Sequence, residues 1–150
     1  FQKLREERGL CYSIFAQSGF HDDTGMVTIY AGTSGEQIGD LAALTIDEIR
    51  RAAEDMTEAE VARARAQLKA GLLMGLESPT GQAERMARSL AIWGRVSEPA
   101  EVAARIDAVT VEDVRDHAQR LIANARPALA LYGPVRAAPS RDRLAERLAA

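Results

Sequence analysis

Apolar positions change their spacing several times along this chain, and each change marks an element. Phe1 and Leu4 stand three apart among charged neighbours and Gly9 is a natural stop, so residues 1–8 read as the last turns of an amphipathic helix. Leu10–Gln17 (LCYSIFAQ) and Met26–Ala31 (MVTIYA) are rich in aromatic and β-branched residues and predict two antiparallel strands. The loop between them ends in the turn-forming string His21-Asp22-Asp23-Thr24-Gly25. Thr33 with Glu36 three residues later has the form of a capping box, and Ile38, Leu41, Thr45, Ile49 and Ala52 then recur on one helical face. Thr57 and Glu60 repeat that signature before a long helix with Val61, Ala64, Leu68 and Leu72 along one side. Gly71 and Gly75 lie on a close-packed or bent stretch of it, and Ser78-Pro79-Thr80-Gly81 breaks or kinks it. A further helix carries Ala83, Met86, Ala87 and Leu90 to Trp93, where Gly94 stops it. Ser97 is placed to cap a short helix through Val102 and Ile106, and Thr110 another with Val111, Val114, Ala118 and Leu121 as its buried stripe. Pro127 closes the helical region. Ala128–Tyr132 (ALALY), ended by Gly133-Pro134, predicts a short buried strand, and Val135–Ala150 a partly disordered tail with a helix around Leu144 and Leu148.

That order is α/β (α+β): an antiparallel-containing sheet packed by several helices. A length of 150 residues suits one domain, taken as 1–135, with 136–150 as the tail. Three strands make a thin sheet with open edges, a template for further pairing, so a homo-oligomer through an exposed edge is expected. The chain opens on Phe1 inside a helix already under way, which predicts a piece of a longer protein with more strands upstream.

Composition narrows the partners. Hydrophobic residues at 47% and charged ones at 27% describe a chain that folds. The net charge of -3 is spread over interleaved acids and bases, with no basic stripe to follow phosphates, so no nucleic-acid partner is expected. No apolar run approaches the roughly 20 residues that span a bilayer, so no membrane partner is expected either. A single cysteine, Cys11, leaves no disulfide framework and points to the cytoplasm.

Candidate chemistry is sparse. A zinc site needs three or four His, Cys or Asp/Glu ligands at one point, whereas the chain holds two histidines, His21 and His117, with neither HExxH nor HxxEH around them. Lone histidines are usually surface or structural groups, and the chain alone is expected to bind no stoichiometric zinc and to cleave no peptide. Cys11 sits beside a tyrosine in a predicted strand without a histidine near it in sequence, which fits a small buried hydrophobe better than a nucleophile. Gly32-Thr33-Ser34-Gly35 lacks the lysine and spacing of a phosphate loop and reads as a helix entry. Arg5 and Tyr12, taken alone, are a solvated helix charge and a strand aromatic.

The string from Phe1 to Ser13 (FQKLREERGLCYS) nevertheless resembles the signature of the insulinase, pitrilysin and mitochondrial-processing-peptidase family, in which a helix ends in LR-x-x-x-x-L/G-x-Y and runs into a strand. The likeness continues in order through Asp23-Thr24-Gly25, Tyr30-Ala31-Gly32-Thr33, Leu68-Lys69-Ala70-Gly71, Leu76-Glu77-Ser78, Gly94-Arg95-Val96, Ile106-Asp107-Ala108-Val109-Thr110 and the apolar strand before Gly133-Pro134. It covers about Phe1 to Val135. The resemblance implies one half of a two-half, processing-peptidase-like fold. In that family two α/β halves enclose a chamber; the N-terminal half carries zinc on an inverted HxxEH motif, and the C-terminal half supplies an arginine and a tyrosine that meet the substrate. Arg5 and Tyr12 match that pair. By the same resemblance, zinc belongs to the full-length protein and is bound outside this chain, and roughly 60 residues of the half lie upstream of Phe1.

The expected function is therefore the substrate-binding C-terminal half of a zinc metalloendopeptidase, whose partners are a zinc-carrying N-terminal half or partner subunit and a peptide substrate. A non-catalytic scaffold or regulatory homologue of the same fold is the alternative. A helical interaction module, resting on the Ala- and Arg-rich helices, is a third.

Overall fold

The computed structural model of the chain describes residues 1–21 and 23–150; Asp22, part of the predicted hairpin turn, lies outside them. A π-helical turn, Gln2–Glu7, leads into β1 (Ser13–Phe20) and β2 (Gly25–Gly32). Six helices follow: α1 (Ile38–Glu54), α2 (Glu58–Gly75), α3 (Pro79–Trp93), α4 (Pro99–Asp107), α5 (Val111–Ala123) and α6 (Arg141–Ala149). Packing divides the chain into two units, one made of Phe1–Arg51 with Ala118–Ala150, the other of Ala52–His117.

In the first unit β1 and β2 form an antiparallel hairpin in which Ser13 faces Gly32 and Phe20 faces Gly25. β1 begins and ends three residues later than its apolar run and β2 extends one residue beyond its run at each end, because pairing, not composition, sets their ends. Phe15 and Tyr30, directly opposite, stack with ring centroids 5.1 Å apart. The core lies at the base of the hairpin, where Leu4, Cys11 and Leu41 are buried and Leu10, Ile14, Ala31 and Leu44 pack against them. Thus one apolar residue each from the π-helical turn, the following loop and α1 closes this core.

Two expectations fail here. Thr33 does not cap α1: its hydroxyl donates to the Leu10 carbonyl at 2.5 Å, and the helix starts at Ile38 after a turn in which the Gln37 N–H donates to the Ser34 carbonyl and hydroxyl. Ala128–Tyr132 is not a strand, because no strand among the described residues runs beside it to take its backbone hydrogen bonds. Leu129 and Leu131 are consequently exposed, as is Tyr132. The tail contains a helix where one was expected: Ser140 caps α6 by accepting the Arg143 N–H at 3.2 Å.

In the second unit the predicted capping box of α2 is complete. The Thr57 hydroxyl accepts the Glu60 N–H and the Glu60 carboxylate accepts the Thr57 N–H. Ser78 caps α3 with Pro79 at its first position, and Gly94 ends it in the left-handed region at φ 67. Thr110 and Asp113 cap α5 reciprocally. Ser97 does not cap α4; its N–H donates to the Ser89 hydroxyl and its carbonyl accepts from Arg85, leaving Glu98 and Pro99 to open the helix. The proposed stripe on α2 is buried only at Val61, with Ala64 and Leu68 exposed, since α2 carries apolar residues on several faces and packs against the short α4. Likewise α3 has no buried residue, and Met86, Leu90 and Trp93 are exposed.

Candidate functional site

The site is built from the burial of Leu4 and Cys11. Leu4, 3% exposed, anchors the π-helical turn in the core, which leaves the adjacent Arg5 pointing outward. Gly9 then adopts φ 61, a conformation that strains any residue with a Cβ, and the chain reverses as the Gly9 and Leu10 N–H groups donate to the Arg5 and Leu4 carbonyls. Cys11 turns inward. Tyr12, at the bend just before β1, turns outward and is 86% exposed, while its N–H donates to the Gly32 carbonyl at 3.0 Å.

The result brings Arg5 and Tyr12 together across seven residues of sequence. The guanidinium carbon lies 5.8 Å from the centre of the Tyr12 ring and 4.8 Å from that of Phe1. Both are within reach of cation–π attraction, which favours one placement of an otherwise mobile side chain. Glu6 is a loose electrostatic neighbour, 3.7 Å away. Beside Tyr12 opens a shallow depression of about 510 Å³, lined by residues 9–12 and 32–34 and by Gln37. Tyr12 on its lining carries a phenol O–H, and Arg5 beside the Tyr12 ring is a permanent cation with five N–H donors, groups that suit a carbonyl or carboxylate oxygen.

Other candidates fall elsewhere. His21 sits at the hairpin end, its N–H donating to the Thr24 carbonyl, and His117 lies on α5 in the other unit. Among the described residues no group of three or more His, Cys, Asp or Glu side chains could hold a metal ion, so the described donors do not fit a zinc centre. Cys11 is a core residue. Gly32–Gly35 is the entry to α1, its Thr33 hydroxyl spent on the Leu10 carbonyl. Among the described residues no helix is long and apolar enough to cross a membrane. Phe1 was missed as a site residue, although its i, i+4 relation to Arg5 is a legible signal on a helix.

Known proteins resemble this chain in sequence and in fold. Residues 1–68 match the family profile described as "Peptidase M16 inactive domain". An uncharacterized zinc protease of Streptomyces coelicolor is 34% identical over 149 residues, 99% of this chain and 31% of the relative. Mitochondrial-processing peptidase subunit beta of Blastocladiella emersonii is 38% identical over 125 residues, 83% of this chain and 27% of that subunit. A chain of complex III2 from Candida albicans, bound to Inz-5, superposes with a TM-score of 0.71 at 27% identity, covering 79% of this chain and 28% of its own. The chain thus spans less than a third of each of these relatives. With an ordered set of motifs, a matching fold and relatives named as zinc proteases and processing peptidases, the chain belongs to the M16 family of insulinase, pitrilysin and mitochondrial-processing peptidases and matches its C-terminal domain.

Proposed function

We propose that this chain is the substrate-binding part of a zinc metalloendopeptidase, in which Arg5 and Tyr12 hold a backbone carbonyl of the peptide being cleaved. The observation that carries the reading is the stacking of the Arg5 guanidinium over an exposed Tyr12 ring at the rim of an open depression. Neither side chain serves the core, and among the described residues the acceptor nearest Arg5 is the loose Glu6 carboxylate at 3.7 Å. Such donors, held in place before a peptide arrives, act most strongly on negative charge that develops at the carbonyl oxygen once water is displaced. Zinc, on this reading, sits on a separate N-terminal half or partner subunit, since among the described residues the ligand types are not gathered at one point.

The test uses the complete, zinc-loaded protein. Arg5→Ala and Tyr12→Phe are each expected to lower peptide turnover about 10²- to 10³-fold, the typical loss for one such donor, while Tyr12→Phe, which keeps the ring, shifts unfolding by no more than about 0.5 kcal/mol and Arg5→Ala by about 1–2 kcal/mol, the sum of its two cation–π contacts. Unchanged turnover in both variants returns them to surface roles. A second reading, a non-catalytic scaffold or regulatory homologue, draws support from the matched profile's "inactive" description and from the neighbour in complex III2. It predicts no peptide hydrolysis by the complete protein even with its partner present.

A further inference from the structure

The first unit holds a feature that the site itself does not require: the chain beyond Gly133 is seated against the entry to α1. Gly133 takes φ 113, and the Val135 N–H closes a tight turn onto its carbonyl at 2.9 Å. Pro134 then rests on Gly35. A Cβ placed on Gly35 would stand 2.6 Å from the Pro134 carbonyl oxygen and 3.3 Å from its Cγ, so the absence of a side chain is what permits the contact. Four residues along, a Cβ on Gly39 would meet the Ala137 carbonyl oxygen at 3.5 Å, an ordinary contact. The far end of the segment is fixed separately, because Arg147 on α6 grips Asp47 on α1 through two parallel bonds, Nε to Oδ1 at 2.8 Å and Nη2 to Oδ2 at 2.7 Å. That hydrogen-bonded pairing holds the Asp47 carboxyl below its ordinary range.

Gly35 lies within the turn from Ser34 to Gln37, and both of those residues line the depression beside Tyr12. The turn is closed on itself by hydrogen bonds. Ser34 Oγ donates to Gln37 Oε1 at 3.2 Å and accepts the Gln37 N–H at 3.3 Å. We propose that residues 133–149 are a strap that sets the position of the Ser34–Gln37 wall of the depression, gripped at Gly35 by Pro134 and at Asp47 by Arg147. Its importance rests on the reading of that depression as the substrate surface; its mechanics do not.

Cys11 supplies a readout that needs no catalysis. It is the chain's single thiol, lines the depression and is only 7% exposed, so its reaction with a thiol reagent under native conditions measures how far that wall opens. Arg147→Ala is expected to raise the labelling rate of the intact chain about 2- to 5-fold, the range for an exposed ion pair. Gly35→Ala should raise it by about tenfold or more, because backbone must shift to admit the methyl group. The charge exchange Asp47→Arg with Arg147→Asp should bring the rate back toward that of the parent. The proposal is overturned if Arg147→Ala labels at the parent rate with its circular dichroism and denaturation midpoint intact, or if the faster labelling of Arg147→Ala persists in the charge exchange. Should Gly35→Ala fail to fold, Arg147→Ala and the exchange still decide. Turnover insensitive to Arg5 and Tyr12 alongside a normal Cys11 response would sink the functional reading and leave the strap standing.

Discussion

Arg5 is held by what surrounds it rather than by a partner charge. Each exposed cation–π contact contributes about 0.5–1 kcal/mol, so Phe1 at 4.8 Å and Tyr12 at 5.8 Å together outweigh a loose Glu6 at 3.7 Å. If Arg5 meets the substrate as proposed, Phe1 is a positioning residue. In the complete protein Phe1→Ala should lower kcat/KM about 2- to 5-fold, a loss of the order of one such contact, and Phe1→Tyr should restore it. Equal kcat/KM in all three proteins would remove Phe1 from the site. The nearness of Arg5 to Tyr12 was legible in the sequence through its family pattern, their role at a substrate being a proposal, and Cys11 was legible as a buried hydrophobe through its neighbours. Thr33 was not legible. Its hydroxyl finds the carbonyl of Leu10, 23 residues away, and a capping signature is a purely local reading that cannot foresee such a competitor.

Elements ended by local chemistry were the ones the sequence marked well. The Thr57 and Glu60 box, the Thr110 cap and the Gly94 stop need nothing beyond their own neighbours, and all three form. Gly94→Ala forces a Cβ into φ 67, and Thr57→Ala frees a helix donor, so each should lower stability by about 1 kcal/mol; urea denaturation checks both, and unchanged midpoints would contradict the cap assignments. Elements that depend on a distant partner were misread. Ala128–Tyr132 has the composition of a strand but no neighbour among the described residues, and apolar periodicity on α2 and α3 does not specify which faces are covered. Ser97 was misread for the same reason as Thr33, since its N–H and carbonyl are both taken by α3.

At the scale of the whole molecule, much apolar surface is left open. Phe20 and Met26 at the hairpin end are each 68% exposed, and a two-stranded sheet has two unpaired edges. Such edges pair with whatever strand is available, so the isolated chain is expected to self-associate as concentration rises; light scattering that shows a stable monomer over a wide range would count against it. The division of the chain also bears on its synthesis. Ala52–His117 is one continuous stretch, whereas the unit bearing the hairpin is assembled from Phe1–Arg51 and Ala118–Ala150. A ribosome extends the chain at about 5–20 residues per second, and the continuous unit emerges complete while the hairpin still waits for its second segment. The unit bearing the hairpin is therefore completed only after Ala118–Ala150 has emerged and Arg147 can reach Asp47.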